Sequence, residues 1–300
     1  MKKLITLGIV SLLSISIFAQ ATDTNTGGSV IQTLTPSKLI SKGQFDIKWF
    51  NNLYTETEST FAEGKQPRQT FFTSTLEAYT GVSDNNRVNV GLILEARSNV
   101  IGGRDALDVF KFDGERGTAR SGLTSIAPSV KFVPFTSVNN FSIQSSLFIP
   151  LVGQETEQGV FLDQKGWTWQ NRFFYDYTFG GGDWQVFTEL NSEFHFGKEA
   201  VRDANFDTVE GSFANNSLSL TPGVFLSYFP SSKFTVLGLV QHSQRIDLGN
   251  NFSQDFTAVG GGAKYQLTDA LNVEALYTNF VRGNDTGLGE TFNLGLRAVF

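Results

Sequence analysis

Residues 287–300 read GLGETFNLGLRAVF, and their order decides the fold class. Leu288, Phe292, Leu294, Leu296, Ala298 and Phe300 fall on even positions, with Gly289, Thr291, Asn293, Gly295 and Arg297 between them. A strand turns successive side chains to opposite faces, so this stretch is apolar on one face and small or polar on the other. The chain then stops on an aromatic side chain. A soluble domain seldom leaves a terminal Phe exposed on a strand, whereas a barrel whose outer wall meets lipid has a place for it.

The same two-residue period recurs upstream. Phe45, Ile47, Trp49 and Leu53 alternate with Asp46 and Lys48 in a first strand, Gln44 to Leu53. Val88, Val90, Leu92 and Leu94 oppose Asn89, Gly91 and Glu95, and Trp184, Val186 and Leu190 oppose Gln185, Glu189 and Asn191. Eleven such strands precede the terminal one, although Phe234 to Gln244 is apolar on both faces and its register stays open. The connections sort by parity. After even strands they are tight, as at Ser83 to Asn86 and Gly180 to Gly182. After strands one, three, five and seven they are long and charged, as at Asn99 to Ser121 and Gly197 to Asn215. Short turns alternating with long loops is the pattern of a transmembrane barrel. The reading is all-β: a transmembrane antiparallel up-and-down β-barrel of about 12 strands, with both ends on the periplasmic side.

Charge placement sets the register. Reversing the third strand would put Glu95 and Arg97 in lipid, where Arg alone costs about 2–4 kcal/mol near the midplane. Trp167, Trp169, Trp184, Tyr228 and Tyr277 are read as an interfacial girdle near strand ends. Pro128 and Pro222 conflict with a closed wall, and a bulge at each is expected to resolve the conflict.

Composition narrows the remaining classes. There are 29 Phe against 4 Trp and 7 Tyr, and no Cys, which removes disulfides and thiolate metal sites. Two His leave no multi-histidine metal centre, and no metal or cofactor is expected. The formal charge of −6 carries no basic stripe, so nucleic acid is set aside.

Residues 1–21 read as a secretory signal peptide: Lys2 and Lys3, an apolar run from Leu4 to Phe18, then Ala19-Gln20-Ala21, with cleavage after Ala19 or Ala21. Residues 22–42 are a polar periplasmic lead-in, with a small plug as the alternative, and 43–300 form the barrel.

Twelve strands about 4.8 Å apart and tilted about 40° close at a backbone radius of roughly 12 Å, so the lumen is at most a narrow pore. By parity Asp46, Glu77, Glu95, Asp176, Glu189, Glu193 and Glu274 point inward with Lys48, Arg97, Lys131, Arg172, Lys264 and Arg297. They are the candidates for a charged constriction, or for an internal salt-bridge network. Phe148, Phe174, Phe187, Phe225 and Phe280 also point inward, as do Gly223, Gly260, Gly262 and Gly295. The functional reading is a channel for small solutes. The alternative is a closed barrel that works as a structural or surface-binding protein through its loops.

The C-terminal stretch resembles the signature strand of Gram-negative outer-membrane β-barrels, which the barrel-assembly machinery reads. That resemblance implies that Phe300 is part of the assembly signal and that the protein sits in the outer membrane, against lipid and lipopolysaccharide, as a monomer. The whole pattern is similar to porin-like and hydrophobic-solute transporter barrels, including those grouped with phenol-degradation pathways. An outer-membrane phospholipase would instead need His and Ser two residues apart on one outer face. Here His242-Ser243-Gln244 puts Ser on the opposite face and Gln where Ser belongs, so no enzyme is expected.

Overall fold

Alternation leaves each strand with one face that hydrocarbon accepts and one that it rejects, and in lipid every backbone N–H must also find a partner within the protein. Closure meets both demands. The computed structural model describes residues 37–300 apart from 200, 203–207, 211, 213 and 250–252. The signal peptide and most of the lead-in lie outside the described residues.

The wall consists of β1 (Phe45–Ser59), β2 (Gln69–Gly81), β3 (Val88–Val100), β4 (Ala119–Phe132), β5 (Phe141–Pro150) and β6 (Thr168–Thr178). It continues through β7 (Trp184–His195), β8 (Ser217–Ser231), β9 (Phe234–Asp247), β10 (Ser253–Gln266), β11 (Leu271–Asn284) and β12 (Gly287–Val299). Each strand pairs antiparallel with its successor and β12 pairs with β1, so the sheet has no free edge. The closing seam ends on the last residue. Phe45 and Phe300 exchange backbone hydrogen bonds of 2.7 and 3.0 Å, and their rings stack at 5.9 Å.

Burial is inverted relative to a soluble protein. Trp49, Leu92, Val224, Leu226, Val240, Phe292 and Leu294 are exposed, while Asn89, Lys131, Gln144, Ser146 and Asp176 are buried. The apolar belt faces outward and the polar residues fill the lumen. Trp184 packs on Tyr228 at the short-turn end of the wall, with ring centres 4.7 Å apart. Tyr277 departs from the girdle reading: it lies midway along β11 and donates to Glu290 on the outer face at 2.8 Å.

The two prolines are accommodated without bulges. Between β4 and β5, Ile126 faces Ile149 and Ser129 faces Ser146, with the rungs around Pro128 missing and the register unchanged. Between β8 and β9, Leu220 faces Gln244 and Gly223 faces Gln241, and the rungs around Pro222 are likewise absent. Each proline removes one donor, and the pairs on both sides hold the strands in line. The bulge in β4 sits instead at Thr124, opposite Glu95 and Ala96. It shifts the alternation by one residue and hides the outer part of β4 from a parity reading, so the β3–β4 loop is shorter than Asn99 to Ser121.

That loop, residues 101–118, is tied by charge. Arg104 meets Asp108 at 3.1 Å, Asp113 at 2.6 Å and Glu115 at 3.2 Å, while Lys111 meets Asp108 at 2.7 Å. The hydrogen bond from Arg104, seconded by the Glu115 backbone N–H, holds the Asp113 carboxyl down at about 2. Because the folded value is depressed, the tie is complete above pH ~4, the range of a free Asp, and is lost as pH falls through about 2. Carbon-13 NMR of the Asp113 carboxyl should show it ionised at pH ~4 and titrating near pH ~2, and a midpoint near pH ~4 would contradict the tie.

Candidate solute path through the lumen

Three groups of inward charges divide the lumen. The largest lies low in the barrel, where β12, β1 and β2 bring acids and bases to neighbouring inward positions. Arg297 grips Asp46 with two hydrogen bonds of 2.9 and 2.8 Å, a bidentate pair of the strong kind. Lys48 lies 3.9 Å from Asp46 and 3.6 Å from Glu77. Arg172 then reaches from β6 across to Glu77 at 3.6 Å while holding Glu189 at 2.7 Å. The network therefore spans the lumen between strands that are not neighbours.

Lys131 fills the space beneath, with its ammonium 4.8 Å from the ring centre of Tyr79 and 5.7 Å from that of Phe174. Tyr79, Ser129 and Ser146 are joined by hydroxyl hydrogen bonds of 2.7 Å. From the end of the barrel that carries the short turns Ser37 donates to Asp176, which also accepts from Gln185 at 3.4 Å, and Ile40 is buried. The described end of the lead-in thus enters the barrel mouth. At this end the β2–β6 side of the lumen is packed with side chains.

Nearer the outside, Glu95 accepts from Ser125 at 3.0 Å and from Thr75 at 3.4 Å. Glu193 accepts from Gln170 at 2.8 Å and Asn191 at 2.9 Å, with His195 at 3.7 Å. Arg97 pairs at 3.1 Å with Asp163, which belongs to the β5–β6 loop. That loop folds into the mouth: Asn99 donates to the carbonyls of Phe161 (2.7 Å) and Leu162 (3.2 Å), and Arg120 to those of Gln154 and Glu155. Lys264 and Glu274 form a separate pair, 2.5 Å apart, on the far wall.

What stays open is a cavity of about 680 Å³ displaced toward β7–β12. Phe187, Phe225, Leu237, Leu239, Ala258, Phe256 and Phe280 line one side of it. Lys48, Glu77, Glu95, Arg172 and Glu189 face them, and Lys264, Glu274 and Arg297 also border it. The other five candidates, Asp46, Arg97, Lys131, Asp176 and Glu193, do not border it and serve as partners or packing around it. The rings form connected pairs: Phe174–Phe187 at 5.9 Å, Phe187–Phe225 at 5.4 Å, Phe256–Phe280 stacked at 4.2 Å, and Tyr54–Phe280 at 5.0 Å.

Parity reading misses part of this site. Leu237 and Leu239 sit on the strand whose two faces are equally apolar, and only the pairing with β10 shows which one turns inward. No local signal tells that the β5–β6 loop enters the mouth. The inward glycines also differ in reason. Gly295 borders the cavity, but a Cβ at Gly260 or Gly262 would lie 2.0 or 2.1 Å from a carbonyl of β11. Those two are required by the close approach of the strands rather than by the width of the pore. His242 pairs with Thr257 at 3.0 Å, while Ser243, in the next position, accepts from Thr221 at 3.1 Å. The two side chains leave opposite faces of β9 and make no dyad.

No family model matches the chain, and no curated protein matches it. Solved structures do. The COG4313 outer membrane channel from Pseudomonas putida F1 superposes with a TM-score of 0.68 at 10% identity, covering 93% of this chain and 100% of that one. The likeness is one of fold. The beta domain of the Bordetella autotransporter BrkA superposes with a TM-score of 0.57 at 13% identity, over 86% of this chain and 99% of that one. One closed wall of this kind therefore serves both a channel and an autotransporter domain, and the site must decide the function.

Proposed function

We propose that this protein is an outer-membrane channel that passes small solutes along the β7–β12 wall. The observation that carries the reading is the open cavity of about 680 Å³, aromatic on one side and bordered by paired charges on the other. Apolar walls with a few placed polar groups are what small-molecule sites generally show. The Pseudomonas putida channel that shares the fold supports the same reading. The protein works as a monomer without a cofactor, its belt set in lipid and lipopolysaccharide, and catalyses no reaction. The barrel-assembly machinery reads β12 and Phe300, so removing Phe300 should lower the yield of folded barrel more than it alters any solute preference.

Purified protein in planar bilayers is expected to give discrete conductance steps. A protein shown by lipid flotation and heat-shifted mobility to be folded and inserted, yet silent in every recording, would overturn the reading. Selectivity follows from the charges that border the cavity. Lys48, Arg172, Lys264 and Arg297 each face a carboxylate within 4.0 Å, whereas the partners of Glu95 are the hydroxyls of Ser125 and Thr75. Replacing Glu95 with Lys exchanges the charge least balanced by its neighbours. The reversal potential in a salt gradient should then move toward anions, and an unchanged potential would place Glu95 off the path.

A further inference from the structure

The β3–β4 loop does not stand above the barrel. Leu53, Phe72, Val100 and Ala119 occupy outward positions near the extracellular ends of β1–β4, with Leu53 opposite Phe72 and Val100 opposite Ala119. On an ordinary stretch of lipid-facing wall they would be exposed, as Trp49, Leu76 and Leu92 are. Instead Val109 is fully buried against Leu53 and Val100, with Phe72 and Ala119 packed beside them. The Phe110 ring meets Phe72 edge-on at 4.9 Å, and Ser98 donates to the Val109 carbonyl at 2.6 Å. The short 3-10 turn Ala106–Phe110 is therefore held flat against the outside of the wall.

Its height can be placed. Leu53 lies eight residues along β1 from Phe45, which on a strand tilted about 40° is roughly 21 Å from the periplasmic edge, inside an apolar band about 25 Å tall. At that level the turn presents apolar side chains of its own. Leu107 is 68% exposed, Phe110 47% and Phe112 59%. Phe112 also adopts a φ of 49°, a left-handed conformation unfavourable for a bulky residue. Within the loop, Arg104 pairs with Asp108, Asp113 and Glu115, and Lys111 pairs with Asp108, so these charges are balanced by one another. The exposed patch is thus continuous with the lipid-facing belt and shaped like an interfacial amphipathic segment.

We propose that residues 101–118 act as an anchor on the outside of the barrel, seating Leu107, Phe110 and Phe112 among the acyl chains of the outer leaflet. Such an anchor fixes the depth of the β1–β4 side of the wall. The proposal rests on a membrane-embedded barrel but not on an open lumen, so a silent yet anchored protein would overturn only the channel reading.

The chain contains no cysteine, which makes a direct test simple. Single variants Leu107→Cys, Phe110→Cys and Phe112→Cys carry an NBD label in phosphatidylcholine vesicles that contain doxyl-labelled lipid. Phe61→Cys, at a position 69% exposed beyond the end of β1, is the aqueous reference. Heat-shifted mobility confirms that each variant is folded. The three loop labels should emit further to the blue than the reference, be quenched by shallow doxyl lipid, and show severalfold weaker quenching by iodide. Iodide quenching equal to that at position 61, with no effect of doxyl lipid, would overturn the anchor.

Discussion

Replacing Asp46 with Ala is expected to destabilise the folded barrel by about 3–5 kcal/mol, the usual consequence of removing one partner from a buried ion pair. Asp46 is buried low in the lumen, gripped by Arg297 and faced by Lys48. Without it Arg297 keeps its charge in a site built around a carboxylate, while Lys48 falls back on Glu77 at 3.6 Å. The loss also strikes the seam, because Asp46 on β1 and Arg297 on β12 join the two strands that close the wall. Urea unfolding in detergent, followed by heat-shifted mobility, measures the effect. Asp46→Ala combined with Arg297→Met should recover a good part of it, since a neutral side chain no longer needs a partner. A single variant as stable as the parent would mean that water, not Asp46, satisfies Arg297.

The second large effect is on passage. Leu239 and Ala258 are buried on the wall of the open cavity, on adjacent strands. The double substitution Leu239→Trp with Ala258→Phe adds two large rings to the lumen face that Leu237, Leu239, Phe256 and Ala258 line. Conductance should fall to a small fraction of the parent value while heat-shifted mobility stays intact. The same ring added on the filled side, for instance Ser129→Phe, acts differently. It breaks the Tyr79–Ser129–Ser146 chain and should cost stability, with little change in the conductance of the barrels that still fold. If both sides reduced conductance equally, the path would not be displaced toward β7–β12.

These contrasts also show what a sequence can and cannot say of such a protein. The barrel was readable because each strand must present one face to hydrocarbon, so the period of two is enforced from Phe45 to Phe300. The inward acids and bases followed from the same rule. What the rule does not contain is curvature and filling. A bulge at Thr124 shifts the parity of β4, and Leu237 and Leu239 become lumen residues only through their pairing with β10. Asp163 and Val109 belong to loops, where no period applies, yet one loop enters the lumen and the other turns back along the outside. The thirteen charged candidates carried no sign of which would border an open path. Their grouping depends on distances across the lumen, such as the reach of Arg172 to Glu77, that neighbouring positions in the chain do not encode.

The central claim is that solutes pass beside the aromatic wall and not through the charged, filled side. Thiol block of single channels tests it directly. Leu239→Cys and, for comparison, Lys131→Cys are recorded in planar bilayers before and after a methanethiosulfonate ammonium reagent. The account requires a stepwise fall in conductance at position 239 and no change at the buried position 131. Block at 131 with none at 239 would contradict it.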